Sequence, residues 1–128
     1  MSIAQQVHSK FKLFAGPLGP GATLGPLADE VAQFAAKAKA APKSIGVEYL
    51  ESSKQVVVSL GYRDDEPAYP VKLHAVSLGQ VESFAAGELA KLEKRMEEAA
   101  AKTPKVICHE LLVTETREFV MVLMTHAG

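Results

Sequence analysis

The segments Pro42-Lys-Ser-Ile-Gly-Val-Glu-Tyr-Leu50 and Pro104-Lys-Val-Ile-Cys-His-Glu-Leu-Leu112 align without a gap at an offset of 62 residues. Pro, Lys, Ile, Glu and Leu all repeat in this alignment. A second pair, 11–19 and 71–79, aligns at an offset of 60 with five identities in nine positions. The offset changes only in the loop before the first helix and at the hairpin turn, where chains tolerate insertions. We therefore predict an internal duplication rather than a chance likeness of two helix–hairpin segments.

Apolar periodicity around these segments gives the secondary structure. Alternation predicts six strands, and two stripes at helical spacing predict helices from Pro26 to before Pro42 and from about Val81 to Lys102. The predicted strands are 11–15, 45–51, 55–62, 71–76, 106–113 and 119–125. The order is β-α-β-β, a linker, then β-α-β-β. This order predicts an α+β fold in which two helices cover one face of a six-stranded antiparallel sheet. We expect one domain over residues 1–128, with pseudo-repeats 11–66 and 71–126.

The amino-acid composition indicates which kinds of partner and which cellular compartment to expect for this protein. The net charge of −1 does not favour a nucleic-acid partner, because phosphate contacts need a basic surface. One cysteine, Cys108, fits a reducing compartment, and no apolar run approaches a membrane span or a signal peptide. The four histidines lack metal-ligand spacing. We expect a cytoplasmic protein with no membrane partner, no metal and no cofactor.

The sheet face away from the helices is the candidate site. Alternation assigns to it apolar residues with a few ionisable groups among them, and such a mixture is typical of a ligand cleft. Glu48 and Glu110 are related by the duplication and lie in the middle of apolar strands. Ion pairs with Lys12 and Lys72 on a solvated face explain the same pattern equally well. The candidate ligand-binding residues are Lys12, Phe14, Glu48, Lys72, His74, Glu110 and Met124.

The duplicated unit resembles the GyrI-like small-molecule-binding domains, which include effector-binding halves of multidrug-sensing regulators. The resemblance covers about Phe11 to His126 and is carried by Lys12-Leu-Phe-Ala-Gly-Pro-Leu18 and by the segment 104–112. It implies a curved, barrel-like sheet with a cleft between the two units. It also implies that Glu110 contacts the ligand.

Three functions follow from these observations. The first is a stand-alone module that holds a small, mainly apolar ligand between the two units, with Glu110 as its polar anchor. The second is a hydrolase-type enzyme in which Glu110, with Glu48 or His74, acts as general acid or base. The third is a structural protein that dimerises through its half-apolar sheet face. All three place the core at Leu27, Val31, Phe34, Val58, Leu89, Leu92, Met96 and Phe119.

Overall fold

The computed structural model describes residues 9–128 and confirms an α+β fold. The chain runs β1 (Lys10–Pro17), α1 (Pro26–Lys37), β2 (Ala41–Leu50), β3 (Gln55–Arg63), β4 (Val71–Gln80), α2 (Ala86–Ala101), β5 (Val106–Val113) and β6 (Glu118–His126). Each half therefore has the predicted β-α-β-β order.

The six strands form two antiparallel sheets of three, so the prediction of one six-stranded sheet is wrong. The strand orders are β1-β3-β2 and β4-β6-β5, with the third strand of each half at the centre. β2 lies beside β5, but no ladder of hydrogen bonds joins these strands in the described residues 9–128. The strand order is the same in both halves, as a duplication requires.

Helix α1 begins and ends where its sequence directs. Pro26 occupies the first turn, where a missing N–H costs little, and Asp29 and Lys37 suit the two ends of the helix dipole. Lys39 then adopts a φ of 52°, and the chain enters β2 at once. Pro42 therefore lies inside a strand, although the sequence placed it at the helix terminus.

One hydrophobic core joins the two halves. Helix α1 contributes Leu27, Val31 and Ala35, and it packs against both β1 and β4. The strands contribute Ile45, Val47, Val56, Val58 and Leu60 from the first half, and Val71, Leu73, Leu112, Val120, Val122 and Met124 from the second. The space between the two sheets is thus packed with apolar side chains.

A second, smaller core lies on the other face of the second sheet. There Leu92 of α2 packs with Leu78, Val81, Phe119, Met121 and Leu123. Leu92 is the one buried residue of α2, and Arg95 joins the helix to β4 by donating to the Leu78 carbonyl at 2.5 Å. Leu89, predicted to be core, is 42% exposed, while Phe34 and Met96 are only half-buried. The other five predicted core positions are buried.

The two units contribute different faces to the shared core. Val58 corresponds to Met121 at an offset of 63, yet Val58 lies in the first core and Met121 in the second. Neighbouring residues of a strand point to opposite faces, so α1 and α2 lie on opposite faces of the second sheet. The expectation of both helices on one face is wrong for this reason. The face of the second unit that has no helix of its own covers the helix side of the first unit.

Candidate functional site

In the first unit, the predicted site residues lie on two faces. Phe14 packs edge-on against Phe34 of α1 at 5.8 Å between ring centroids, and the Lys12 Nζ lies 5.8 Å from the same ring. Both residues therefore belong to the helix side. Glu48 lies on the opposite face, exposed, in register with Val57. Lys12 and Glu48 do not form the predicted ion pair.

In the second unit, too, the predicted site residues lie on two faces of the sheet. His74 is in register with Leu123 of the second core, so it and Lys72 lie on the α2 side. Glu110 is in register with Val122 of the first core and is half-buried, while Met124 is fully buried in that core. The structure therefore separates His74 and Lys72 from Glu110.

Cys108, two residues before Glu110, has a thiol in a partly buried setting. Burial raises the pKa of this thiol, a hydrogen bond to the backbone of Ile45 lowers it, and the charge of Glu110 raises it further. The net pKa lies above the ordinary value, so the thiol stays protonated at neutral pH. The raised pKa therefore lowers the reactivity of this thiol as a nucleophile.

His74 makes one side-chain contact that bears on stability. Its Nε2 lies 3.1 Å from Oγ1 of the buried Thr125. Burial lowers the pKa of His74, and the neighbouring positive charge of Lys72 lowers it further. The imidazole is therefore neutral in the folded protein at pH 7.

We expect the protein to lose stability as the pH falls below about 6.5, the pKa of an unperturbed histidine. The folded state keeps His74 neutral, whereas the unfolded state takes up a proton below about pH 6.5. The stability that His74 contributes is therefore fully present above about pH 6.5. It is lost as the pH falls toward the lowered native pKa. Urea denaturation of the wild type and of His74→Asn between pH 5 and 7.5 checks this. If the free energy of unfolding changed equally with pH in the two proteins, a group other than His74 would cause the pH dependence.

A polar cavity of about 400 Å³ lies at one end of the second sheet. It is lined by Gln80, Val81, Glu82, Glu115, Thr116 and Arg117, and it meets a smaller cavity of about 230 Å³ beside Tyr49 and Lys54. A hydrogen bond to Glu115 raises the pKa of Tyr49 to about 12, and the same bond lowers the pKa of Glu115. Gln80 donates to the Thr116 carbonyl and Arg117 to that of Glu82. These polar groups bind one another, which leaves few of them to orient a ligand.

An apolar groove lies between α2 and strands β5 and β6. It consists of two open cavities of about 220 and 230 Å³ that share Met96, and we call it the α2 groove. Its walls are Leu78, Leu89, Leu92, Met96, Ala100, Val106, Leu111, Phe119, Met121 and Leu123, with Glu93, Glu97 and His109 among them. Leu89, Val106 and Leu111 are exposed there. Apolar walls with a few polar groups are the usual composition of a ligand site.

The duplication explains why the α2 groove is open. Val58 and Leu60 of the first unit correspond to Met121 and Leu123 of the second. All four residues are buried, since Met121 is 2% exposed and Leu123 1%, so the two units differ in the walls of the groove and not in its floor. Leu27, which corresponds to Leu89 at an offset of 62, is 2% exposed, whereas Leu89 is 42% exposed at the edge of the groove, above the floor that Met121 and Leu123 form. The helix leucine that is buried in the first unit therefore stands open to solvent at the α2 groove in the second.

The sequence contained one signal for this groove. Strand β5 is apolar on both faces, since Leu112 lies on one side and Leu111 and Val113 on the other. A strand buried on both sides has this composition, but Leu111 and Val113 are exposed. Placing Leu89 in the core concealed the groove, because a helix that lay flat on β5 would close it.

Comparisons with known proteins leave the family open. No family model, curated protein or solved structure matches this chain. Within residues 9–128, no helix is long and apolar enough to cross a membrane, and no three acidic, histidine or cysteine residues are placed to hold a metal ion. The resemblance to the GyrI-like domains stays a prediction.

Proposed function

We propose that this protein binds a small, mainly apolar ligand in the α2 groove. The resemblance to the GyrI-like effector-binding domains implies the same general role, but it would place the ligand between the two units. That space is packed with the side chains of the first core. The α2 groove, by contrast, is concave, apolar and open.

One observation carries this proposal: Leu89 is exposed at an apolar groove in the second unit, whereas its counterpart Leu27 is buried in the first. Exposed apolar surface of this kind is unfavourable in water, and a ligand that covers it gains about 25 cal/mol for each Å² buried. Leu92 is the only buried residue of helix α2, and the unbranched side chain of the half-buried Met96 can adapt to ligands of different shape. The groove therefore suits a flat or elongated apolar molecule.

The polar groups of the groove suggest how such a ligand is oriented. Glu93 and Glu97 lie one turn apart on α2, and His109 lies on the facing strand. No ion pair among residues 9–128 involves Glu93 or Glu97. Their carboxylates are free to accept hydrogen bonds from the polar end of a bound molecule. The apolar end would then lie over Met121 and Phe119.

Leu89→Gln should weaken binding of the uncharged fluorescent probe N-phenyl-1-naphthylamine about fivefold. The substitution removes apolar contact area from a half-exposed wall, which corresponds to about 1 kcal/mol. Fluorescence titration measures the dissociation constant. Leu50→Gln is the matched control, because Leu50 is 45% exposed and Leu89 42%, but Leu50 lies on the first sheet. Equal effects of the two variants would contradict binding in the α2 groove.

Glu110→Gln separates this site from the one between the units. In the α2 groove account, it leaves the dissociation constant of the probe unchanged, because Glu110 lies on the other face of the second sheet. A loss of about tenfold in Glu110→Gln, with Leu89→Gln unaffected, would place the ligand between the units. Glu110 would then be its anchor, as the sequence predicts.

A further inference from the structure

The first sheet has an exposed face, away from α1, that nothing in residues 9–128 covers. We call it the outer face; it consists of the side chains of Phe11, Leu13, Ala15, Pro17, Ser44, Gly46, Glu48, Leu50, Gln55, Val57, Ser59 and Gly61. Phe11 is 70% exposed and Leu13 67%. These are high values for apolar side chains on a strand. The corresponding face of the second unit, which includes Leu73, Val122 and Met124, is buried against the first unit.

The centre of the outer face is flat because its residues are small. A Cβ atom on Gly46 would lie 2.7 Å from Oγ of Ser59, and one on Gly61 would lie 2.5 Å from Oγ of Ser44. The same Cβ on Gly61 would lie 3.4 Å from Cε1 of Phe11, so Phe11 and Ser44 project on the same side. Phe11 and Leu13 therefore stand above a floor of glycine and serine.

Large and small residues alternate across the outer face in a regular way. In one row Phe11 on β1 and Ser44 on β2 are both in register with Gly61, and in the next Leu13 and Gly46 are both in register with Ser59. Farther along the strands the larger residue lies on β2 instead of β1. Ala15 shares a row with Glu48, and Pro17 shares a row with Leu50. In the first two rows the larger residue is on β1, and in the last two it is on β2.

We propose that two copies of this chain pair face to face through the outer face. A twofold axis that runs parallel to the strands over β3 places β1 of each copy on β2 of the other. Phe11 then packs on Ser44 of the second copy and Leu13 on Gly46, while Leu50 packs on Pro17. Glu48 faces Ala15 at the edge strand, where its carboxylate stays in water. A twofold interface must be self-complementary, and these rows meet that condition.

The area of the outer face fits a weak dimer. Three strands about 4.8 Å apart and about eight residues long, at about 3.3 Å per residue, give a footprint of about 400 Å² per copy. Stable interfaces bury at least about 1,200 Å² in total, so this one suits a reversible pair with a micromolar or weaker dissociation constant. We infer that the occupant is a second copy because the rows of this chain carry the matching order of sizes. The inference is independent of the ligand site, which lies on the other unit.

An exchange of Phe11 and Ser44 tests the pairing. Sedimentation equilibrium over about 10–500 µM should show dimer formation for the wild type. Phe11→Ser and Ser44→Phe should each weaken it about tenfold, the first by removing a contact and the second by placing two phenylalanines against each other. The double variant restores a phenylalanine opposite a serine, so its dimerisation should return to within about threefold of the wild type. Phe84→Ser is the control, because Phe84 is 68% exposed but lies outside the outer face.

Three results would overturn the inference. A monomer at every concentration excludes the pair, and a double variant weaker than both single variants excludes this register. A loss of dimer in Phe84→Ser would place the interface on the second unit. Leu13→Lys, which changes an exposed side chain, tests the face even if Ser44→Phe lowers stability, and it should abolish the dimer.

Discussion

Leu27→Ala should lower the free energy of unfolding by about 3–5 kcal/mol. Leu27 is 2% exposed and lies in the core shared by both units, so its truncation leaves a cavity that the surroundings cannot fill. Because α1 packs against β4 as well as β1, both units should still unfold in one transition. Urea denaturation followed by circular dichroism measures the free energy and the cooperativity.

Leu89→Ala is the matched control for Leu27→Ala. The two leucines correspond at an offset of 62, so a symmetric duplication would give similar losses. The structure instead leaves Leu89 at the edge of the α2 groove, and we expect a cost below about 1 kcal/mol. Similar losses at the two positions would show that α2 packs as closely as α1 and that the groove is closed.

Met124→Ala should have the second large effect, a loss of about 2–5 kcal/mol in the free energy of unfolding. The sequence assigned Met124 to a ligand site, whereas the structure buries its side chain fully in the first core. Below the unfolding transition, the dissociation constant of N-phenyl-1-naphthylamine should therefore be unchanged. Thermal unfolding and fluorescence titration of the same sample measure the two quantities.

Met96→Ala should show the opposite pattern. Met96 is half-buried and shared by both cavities of the α2 groove, so its loss should weaken probe binding and affect stability less than Met124→Ala does. If Met124→Ala weakened binding of the probe more than Met96→Ala did, the ligand site would lie in the first core.

Much of the local structure could be predicted from the sequence because it depends on neighbouring residues. Apolar alternation predicts strand β5 at its observed bounds of Val106–Val113, and the two hairpins and the β-α-β-β order of each half also agree. Errors occurred where distant parts of the chain meet. Apolar spacing predicts Val81 in α2, but its N–H donates to the carbonyl of Arg117 on the last hairpin, and the helix begins at Ala86.

The faces of β1 and β4 could not be derived from alternation alone. Apolar residues occupy both odd and even positions of β1, namely Phe11, Leu13 and Phe14. Only the contact of Phe14 with Phe34 shows which of the two faces points to the core. In β4, Leu73 faces the core of the other unit, which turns Lys72 and His74 toward α2. For this reason the predicted site residues lie on different faces of the sheets and do not form one site. How the two units stack is a long-range property that the local pattern does not contain.

The most direct test of the proposed ligand site is a nuclear magnetic resonance titration with N-phenyl-1-naphthylamine. Methyl groups of leucine and methionine report the position of a bound apolar molecule. Binding in the α2 groove should give saturable shifts at Leu89, Met96 and Leu111, with Leu50 and Leu60 unchanged. Shifts confined to Leu60, Leu112 and Met124, with none at Leu89 or Leu111, would place the ligand between the units and contradict it.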